Sequence, residues 1–333
     1  MKKVLVIGGS GTMGRYLCPI LAQKGYEVDA LVGEINKDKE GIHYHFANAL
    51  DNQVLKQFLS QGYDAVVDFM WYRKIDRYKS RYQMFLNETD HYFALSSYRV
   101  YADSPNAPLT EESPRLAESL DPCDIWHQKT GYAQIKCQME DLLTSSEGQN
   151  WTILRPTVVY CPGRMPLLTW SNNEVALRAY AGKKMVLPYE ALDKKTTMVW
   201  GEDVAKMIAG LMFNPAAKKQ IYNIATAETL TWGEVLKHYQ DTVGLEVELC
   251  DTEEFFRIIT GNNQSEANLN WAKFILHYDR LYDRSVDNSK VLRDAGLTQA
   301  DLMPIRKGLE LAAKGILPDG FSVLDAYLEG KKK

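Results

Sequence analysis

The first eighteen residues, MKKVLVIGGSGTMGRYLC, constrain the fold more than any other stretch. The apolar run Val4 to Ile7 stops abruptly at glycines. A segment with apolar residues at helical spacing (Leu17, Ile20, Leu21) follows, so the stretch reads as strand, tight turn, helix. Gly8, Gly11 and Gly14 are spaced G-x-x-G-x-x-G. Glycines so placed permit a tight turn, close approach of the backbone to a pyrophosphate, and close packing of the helix on the sheet. A helix beginning near Thr12 aims its unpaired N–H groups, and the positive end of its dipole, at the phosphates.

The pattern that follows is an alternation. Tyr26 to Val32 reads as a second strand, His43 to Ala47 as a third, Val54 to Leu59 as part of a helix, and the apolar DAVVDFM, Asp64 to Met70, as a buried fourth strand. His91 to Ser97 is a fifth strand ending in serines. A long polar loop leads to a helix from about Gly131 to Ser145, with Ile135, Met139, Leu142 and Leu143 on one face, and then to a sixth strand from Trp151 to Leu154, closed by Arg155-Pro156. The expected fold is α/β, a Rossmann-type doubly wound parallel sheet. The acidic residue expected at the adenosine ribose, about 20 residues past the glycines, is Glu34. No arginine stands there for a 2′-phosphate and Lys37 and Lys39 lie beyond, so NAD is favoured, with NADP possible. The basic stretch Arg73 to Leu86 reads as a solvated or subunit-facing helix.

Beyond Pro162 the alternation lapses, which predicts a smaller C-terminal substrate-binding domain. Met198 to Leu211, with Asp203 near a helix start, and Ile221 to Ala225 read as returns to the first domain. The expected division is 1–162 with returning segments at about 198–226 for the NAD(P)-binding domain, and 163–197 with 227–328 for the smaller one.

A formal charge of -4 gives no electrostatic footprint for nucleic acid, and no apolar run approaches the length of a membrane span. The N-terminus opens directly into a strand, so a cytoplasmic protein is expected. Cys18, Cys123, Cys137, Cys161 and Cys250 are scattered and odd in number, which suits reduced thiols. His43 and His45 share a strand face without a third ligand at suitable spacing, so no metal is expected. Cys123 and His127 lack an orienting third group.

Tyr132 and Lys136 lie four residues apart on a helix and so share a face. A free tyrosine titrates near pH 10, and a neighbouring ammonium together with a positively charged nicotinamide favours the phenolate, which can exchange a proton with an alcohol or carbonyl. Ser97 stands at the C-terminal end of the fifth strand, where open α/β sheets bind ligands, and can hydrogen-bond the same substrate oxygen. Ser97, Tyr132 and Lys136 are the candidate catalytic residues.

Taken together, these pieces resemble the extended short-chain dehydrogenase/reductase family, in its NAD-dependent epimerase/dehydratase branch. The matching segments are VLVIGGSGTMGRYL, DAVVDFMWY, SSYRVYA, YAQIK, WTILRPTVVYCPG, VWGEDVA and YNIA, in the family's order from about residue 4 to 240. The resemblance implies cofactor contacts at Gly8, Gly11, Thr12, Met13 and Gly14 in the turn, at Glu34, and at Asp68 and Phe69 on the fourth strand. It implies an acid/base role for Tyr132, a nicotinamide-ribose contact for Lys136 that also favours tyrosine ionisation, and substrate orientation by Ser97. The DFM and WTILRP stretches are also similar to a sub-branch related to chloroplast stem-loop RNA-binding proteins. Tyr98 and Arg99 stand where the sugar 4,6-dehydratases carry an Asp-Glu pair, so dehydration is not expected. Ala102 and Cys161 replace family glycines. The implied function is a nucleotide-sugar epimerase, the partners being a nucleotide-sugar or other small-molecule substrate and a second copy in a homodimer. The alternatives are a reductase or dehydrogenase on a sugar or small carbonyl compound, and a non-catalytic RNA-binding or redox-sensing protein.

Overall fold

The computed structural model describes residues 1–104, 106, 108–119, 131–170, 174–260 and 272–314; the Cys123–His127 stretch lies outside these. Its strands are β1 (Lys3–Ile7), β2 (Glu27–Val32), β3 (Ile42–Phe46), β4 (Tyr63–Asp68), β5 (Thr89–Leu95), β6 (Trp151–Pro156), β7 (Val158–Tyr160), β8 (Met185–Pro188), β9 (Lys195–Trp200), β10 (Gln220–Ile224), β11 (Thr229–Thr231) and β12 (Val247–Cys250). The chain divides into two units: Met1–Thr157 with Gly201–Ala227 and Val286–Leu302, and Val158–Trp200 with Glu228–Ser285 and Met303–Lys333.

The first unit is built on a sheet of order β10-β6-β5-β4-β1-β2-β3, with every pairing parallel. Val4, Leu5, Val6 and Ile7 of β1 and Ala65, Val66 and Val67 of β4 are fully buried, as central strands covered on both faces must be. The winding reverses between β1 and β4, whose last residues Ile7 and Asp68 are register partners, so the switch point opens at the C-terminal ends of these two strands. Helix Gly14–Gln23 covers one face and contacts helix Gly201–Leu211. That second helix approaches Ser289–Ala295 so closely that a Cβ on Gly210 would lie 2.4 Å from the Ala295 carbonyl oxygen. A core cluster that includes Leu55, Tyr78, Phe85, Ile135, Met139 and Leu143 brings together helices Asn52–Leu59, Ile75–Lys79, Tyr82–Glu88 and Tyr132–Thr144.

The basic stretch is not simply a solvated face. Arg81 is buried, donating to the Ala49 carbonyl, with its guanidinium 5.5 Å from the Tyr72 ring and 6.0 Å from the Phe85 ring. Aromatic faces stabilise a desolvated guanidinium, and the neighbouring aromatics supply them.

In the second unit β9 pairs with β7 in parallel and with β11 in antiparallel fashion, while β8 pairs with β12. Helix Trp232–Val243 opens on a capping box between Thr231 and Glu234 and stops at Gly244, which is left-handed with φ 68°. The pairing of β7 with β9 assigns Val158–Pro162 and Met198–Trp200 to this unit, whereas Val286–Leu302 groups with the first. Asn288 donates to the Ala225 carbonyl at 2.8 Å, and Leu109 bridges to Val286, which is how that late segment is held. No described helix is long and apolar enough to cross a membrane.

Candidate active site

The glycine turn leaves β1 at Gly8, whose φ of +85° favours glycine; the Gly8 N–H donates to the Leu31 carbonyl at 2.9 Å and the Gly11 N–H to that of Gly8 at 3.0 Å. A Cβ on Gly14 would fall 2.3 Å from the Gly8 carbonyl oxygen and 2.6 Å from Gly9 Cα, an overlap with rigid backbone. On Gly11 the nearest atom would be the Gly8 oxygen at 3.2 Å, a tight contact that a small shift relieves, not an overlap like that at Gly14. The sequence reading passed over Gly9, where a Cβ would sit 2.6 Å from Ala30 Cβ and 3.2 Å from Cys18 Sγ. The doubled glycine directly after the strand was its signal.

The helix begins at Gly14, two residues later than expected, because Gly11, Thr12 and Met13 complete the turn. The Arg15 N–H donates to the Gly11 carbonyl at 3.1 Å and the Tyr16 and Leu17 N–H groups to that of Met13 at 3.1 and 3.0 Å, and Met13 offers no side-chain cap. This turn fits the diphosphate of a dinucleotide: a side-chain-free glycine backbone leads directly into a helix start, where the positive end of the dipole lies.

Phe69 reaches this turn, its Cβ 3.3 Å from where a Gly8 side chain would begin. Asp68 turns the other way. Its carboxylate accepts from Tyr72 Oη at 2.6 Å, Tyr92 Oη at 3.2 Å and the Met70 N–H at 2.9 Å, leaving it 2% exposed. Burial pushes its pKa up, against those hydrogen bonds and the charges of Arg81 and Lys136. Glu34 is exposed, two residues past the end of β2.

Ser97 follows β5 closely and caps the short turn Tyr98–Val100, its buried Oγ accepting the Arg99 N–H at 3.3 Å. Tyr132 is the first residue of its helix, after the N-cap Gly131. One turn on, Lys136 donates through Nζ to the Leu95 carbonyl and stands 5.7 Å from the centre of the Tyr132 ring. The ammonium is thus fixed between the strand end that carries Ser97 and the helix that carries Tyr132. Lys136 is 1% exposed, and burial pulls its pKa down although Tyr132, Asp68 and Glu140 oppose the shift. Arg99 places its guanidinium 5.3 Å from the Tyr132 ring, and the Trp71 ring lies 6.1 Å away.

Beneath this group is a network that the sequence reading missed. Glu140, one turn after Lys136, accepts from Ser96 Oγ and from Arg155 Nε at 2.9 Å and Nη2 at 2.7 Å. Arg155 Nη1 reaches the Tyr101 hydroxyl at 2.9 Å, which donates to Asn223 Oδ1 at 2.6 Å. The helix is thereby joined to β5, β6 and β10. Burial disfavours a charged Arg155, but Glu140 outweighs it and raises the arginine's pKa. An acid at i+4 from Lys136 was the available signal.

His43 and His45 do not face a common ion: His43 Nδ1 is 3.3 Å from Asp38 and His45 Nε2 is 2.5 Å from Asp29. No cluster of three or more metal-ligating side chains occurs among the described residues.

Residues 4–225 match the model of the NAD dependent epimerase/dehydratase family. The chain belongs to that family. It is 26% identical over 253 residues to the chloroplast stem-loop binding protein of 41 kDa b from Arabidopsis thaliana, covering 71% of this chain but only 62% of that protein's length. It is 25% identical over 262 residues to the spore coat polysaccharide biosynthesis protein SpsK of Bacillus subtilis, covering 77% of this chain and 85% of the relative. Among solved structures, UDP-glucose 4-epimerase from Thermotoga maritima, determined with UDP-glucose, has a TM-score of 0.67 at 16% identity, over 94% of this chain and 98% of that one. At that identity the likeness is one of fold.

Proposed function

We propose that the protein is an NAD(P)-dependent enzyme of nucleotide-sugar metabolism, and specifically an epimerase that inverts a ring carbon without net oxidation. The observation that carries this reading is the Lys136 ammonium, pinned by the Leu95 carbonyl between the Ser97 strand end and the Tyr132 ring. NAD is the expected cofactor, held in the first unit by the Gly8–Gly14 turn, with the second unit taking the sugar nucleotide. Bound there, the nicotinamide supplies reversible hydride transfer.

The chain's own residues supply the rest. Tyr132 Oη takes the proton of the sugar hydroxyl and later gives it back. Ser97 Oγ holds the same sugar oxygen. Lys136 stabilises negative charge on the tyrosine, its desolvation making that interaction stronger than it would be in water. The fold of a UDP-glucose 4-epimerase and kinship to a polysaccharide biosynthesis protein support a sugar substrate.

The test is incubation with nucleotide sugars in deuterated buffer, following product, solvent label and nicotinamide absorbance together. An epimerase yields the epimer without deuterium at the inverted carbon and without net absorbance change. Stoichiometric consumption of NADH or NADPH would establish a reductase instead. A second reading, a non-catalytic RNA-binding protein, is raised by the Arabidopsis relative's name. Retention of Ser97, Tyr132 and Lys136 and the net charge of -4 weigh against it.

A further inference from the structure

Asp68 is the last residue of β4, and the mechanism above gives its buried carboxylate no task. Residues 69–72, which follow it, belong to no helix or strand. The carboxylate ties this loop at two points: Oδ1 accepts the Met70 N–H at 2.9 Å and Oδ2 accepts the Tyr72 hydroxyl at 2.6 Å. An aspartate that accepts the N–H two residues on holds a turn where no backbone ladder does. Both ends of the loop are sunk in the core. Asp68 is buried, and Tyr72, fully buried, sets its ring 5.2 Å from that of Tyr78 and 5.5 Å from the Arg81 guanidinium. Phe69 and Met70, between these anchors, are half-buried, and Trp71 is exposed.

The loop starts against the glycine turn. The Phe69 N–H donates to the Ile7 carbonyl at 3.0 Å, and its Cβ lies 3.3 Å from where a Gly8 side chain would begin. Two residues on, the Trp71 ring stands 6.1 Å from that of Tyr132. Phe69, Met70 and Trp71 therefore run from the turn assigned to the diphosphate to the tyrosine that the proposed mechanism sets beside the nicotinamide.

We infer that Asp68 is a positioning residue for the cofactor: by tying Met70 and Tyr72 it holds Phe69, Met70 and Trp71 in the conformation that lies along a dinucleotide between the glycine turn and Tyr132. This rests on the NAD(P) reading above, and its test separates the two. Tyr92 supplies an internal control, because its hydroxyl donates to the same Oδ2 at 3.2 Å but from β5, outside the loop. A carboxylate acting only as a buried anion loses one donor in either Tyr72→Phe or Tyr92→Phe. One that ties down the loop is disabled by the first alone.

The full chain and these variants, with Asp68→Asn, are titrated with NADH or NADPH, whichever wild type binds more tightly, by nicotinamide fluorescence, and with AMP by calorimetry. Tyr72→Phe keeps the ring that packs on Tyr78 and Arg81, so the core contact survives. Apparent affinity falls with the fraction of protein whose loop is correctly set, and one lost hydrogen bond to a carboxylate predicts dinucleotide binding about three- to tenfold weaker in Tyr72→Phe. Asp68→Asn should weaken it at least as much. AMP, which has no nicotinamide half, should be affected far less, and Tyr92→Phe should stay within about twofold of wild type for both ligands. Equal weakening by the two tyrosine variants would overturn the inference, as would an unchanged dinucleotide affinity in Tyr72→Phe or a loss of AMP binding as large as that of dinucleotide. If wild type binds neither dinucleotide, the NAD(P) reading itself fails and takes the inference with it.

Discussion

Replacing Glu140 by glutamine should be among the most damaging conservative substitutions in the first unit. The side chain keeps its length and one carbonyl oxygen, but Arg155 is left charged and buried, since its side chain and that of Glu140 are each only 2% exposed. Removing one partner of a buried pair costs roughly 3–5 kcal/mol, because the surviving charge stays desolvated. Arg155 retains the Tyr101 hydroxyl and the Glu111 carbonyl at 3.1 Å, which puts the expected loss near the lower end, about 3 kcal/mol. Against a total of about 5–15 kcal/mol that is a large share. The assay is urea denaturation followed by far-ultraviolet circular dichroism on wild type, Glu140→Gln and the double variant Glu140→Met, Arg155→Met. If the penalty is the orphaned charge, the double variant recovers much of the loss, because apolar side chains of similar volume often replace a buried pair at little cost. A loss under about 1 kcal/mol for Glu140→Gln, or a double variant less stable than the single one, would refute this reasoning.

The glycines separate by role. Gly14→Ala should fail to yield folded protein, since its Cβ would overlap the Gly8 carbonyl, whereas Gly11→Ala should fold and lose NAD affinity, as circular dichroism and a nicotinamide binding titration will report. Tyr132→Phe and Lys136→Ala should each reduce turnover by about 10²- to 10⁴-fold, with the lysine variant alone recovering in part at high pH in a kcat profile. His91 is fully buried against Thr152 Oγ1 at 2.7 Å, and burial pushes its pKa down to about 3. Between that value and the unfolded value near 6.5 the unfolded chain binds more protons, so stability falls as pH drops, by up to about 1.4 kcal/mol per pH unit. His91→Gln should therefore lose less stability than wild type when urea denaturation is moved from pH 7 to pH 5.

The parallel sheet, and the placing of Tyr132 and Lys136 one turn apart on a helix, were legible because local rules write them. A run of buried apolar residues ending at Gly8 has few alternatives, and a tyrosine and lysine four apart on a helix share a face. What escaped was written in three dimensions. Arg81 sits in a run of charges that resembles a wet surface, and only the packing of Tyr72, Phe85 and the Ala49 carbonyl around it shows otherwise. Glu140 and Arg155 meet between a helix and a strand, and the acid one turn after Lys136 hints at the network without naming its partner. Asp68 was read by its place at a strand end, but the hydrogen bonds from Tyr72 and Tyr92 that bury its carboxylate follow no motif. Val286–Leu302 carries no strand of the main sheet, so the alternation could not assign it.

The way the two units share one chain sets an order of events at the ribosome. The chain passes between units at Thr157–Val158, Trp200–Gly201, Ala227–Glu228, Ser285–Val286 and Leu302–Met303. β10, the edge strand that covers β6, therefore emerges only after Val158–Trp200 of the second unit, and the segment that secures Leu109 and Ala225 emerges later still. Until then β6 has an unsatisfied edge, open to pairing with another nascent chain. No single cut in the gene isolates either unit. A fragment ending at Thr157 would carry that open edge permanently, which makes truncation a poor route to a minimal cofactor-binding protein and circular permutation a better one.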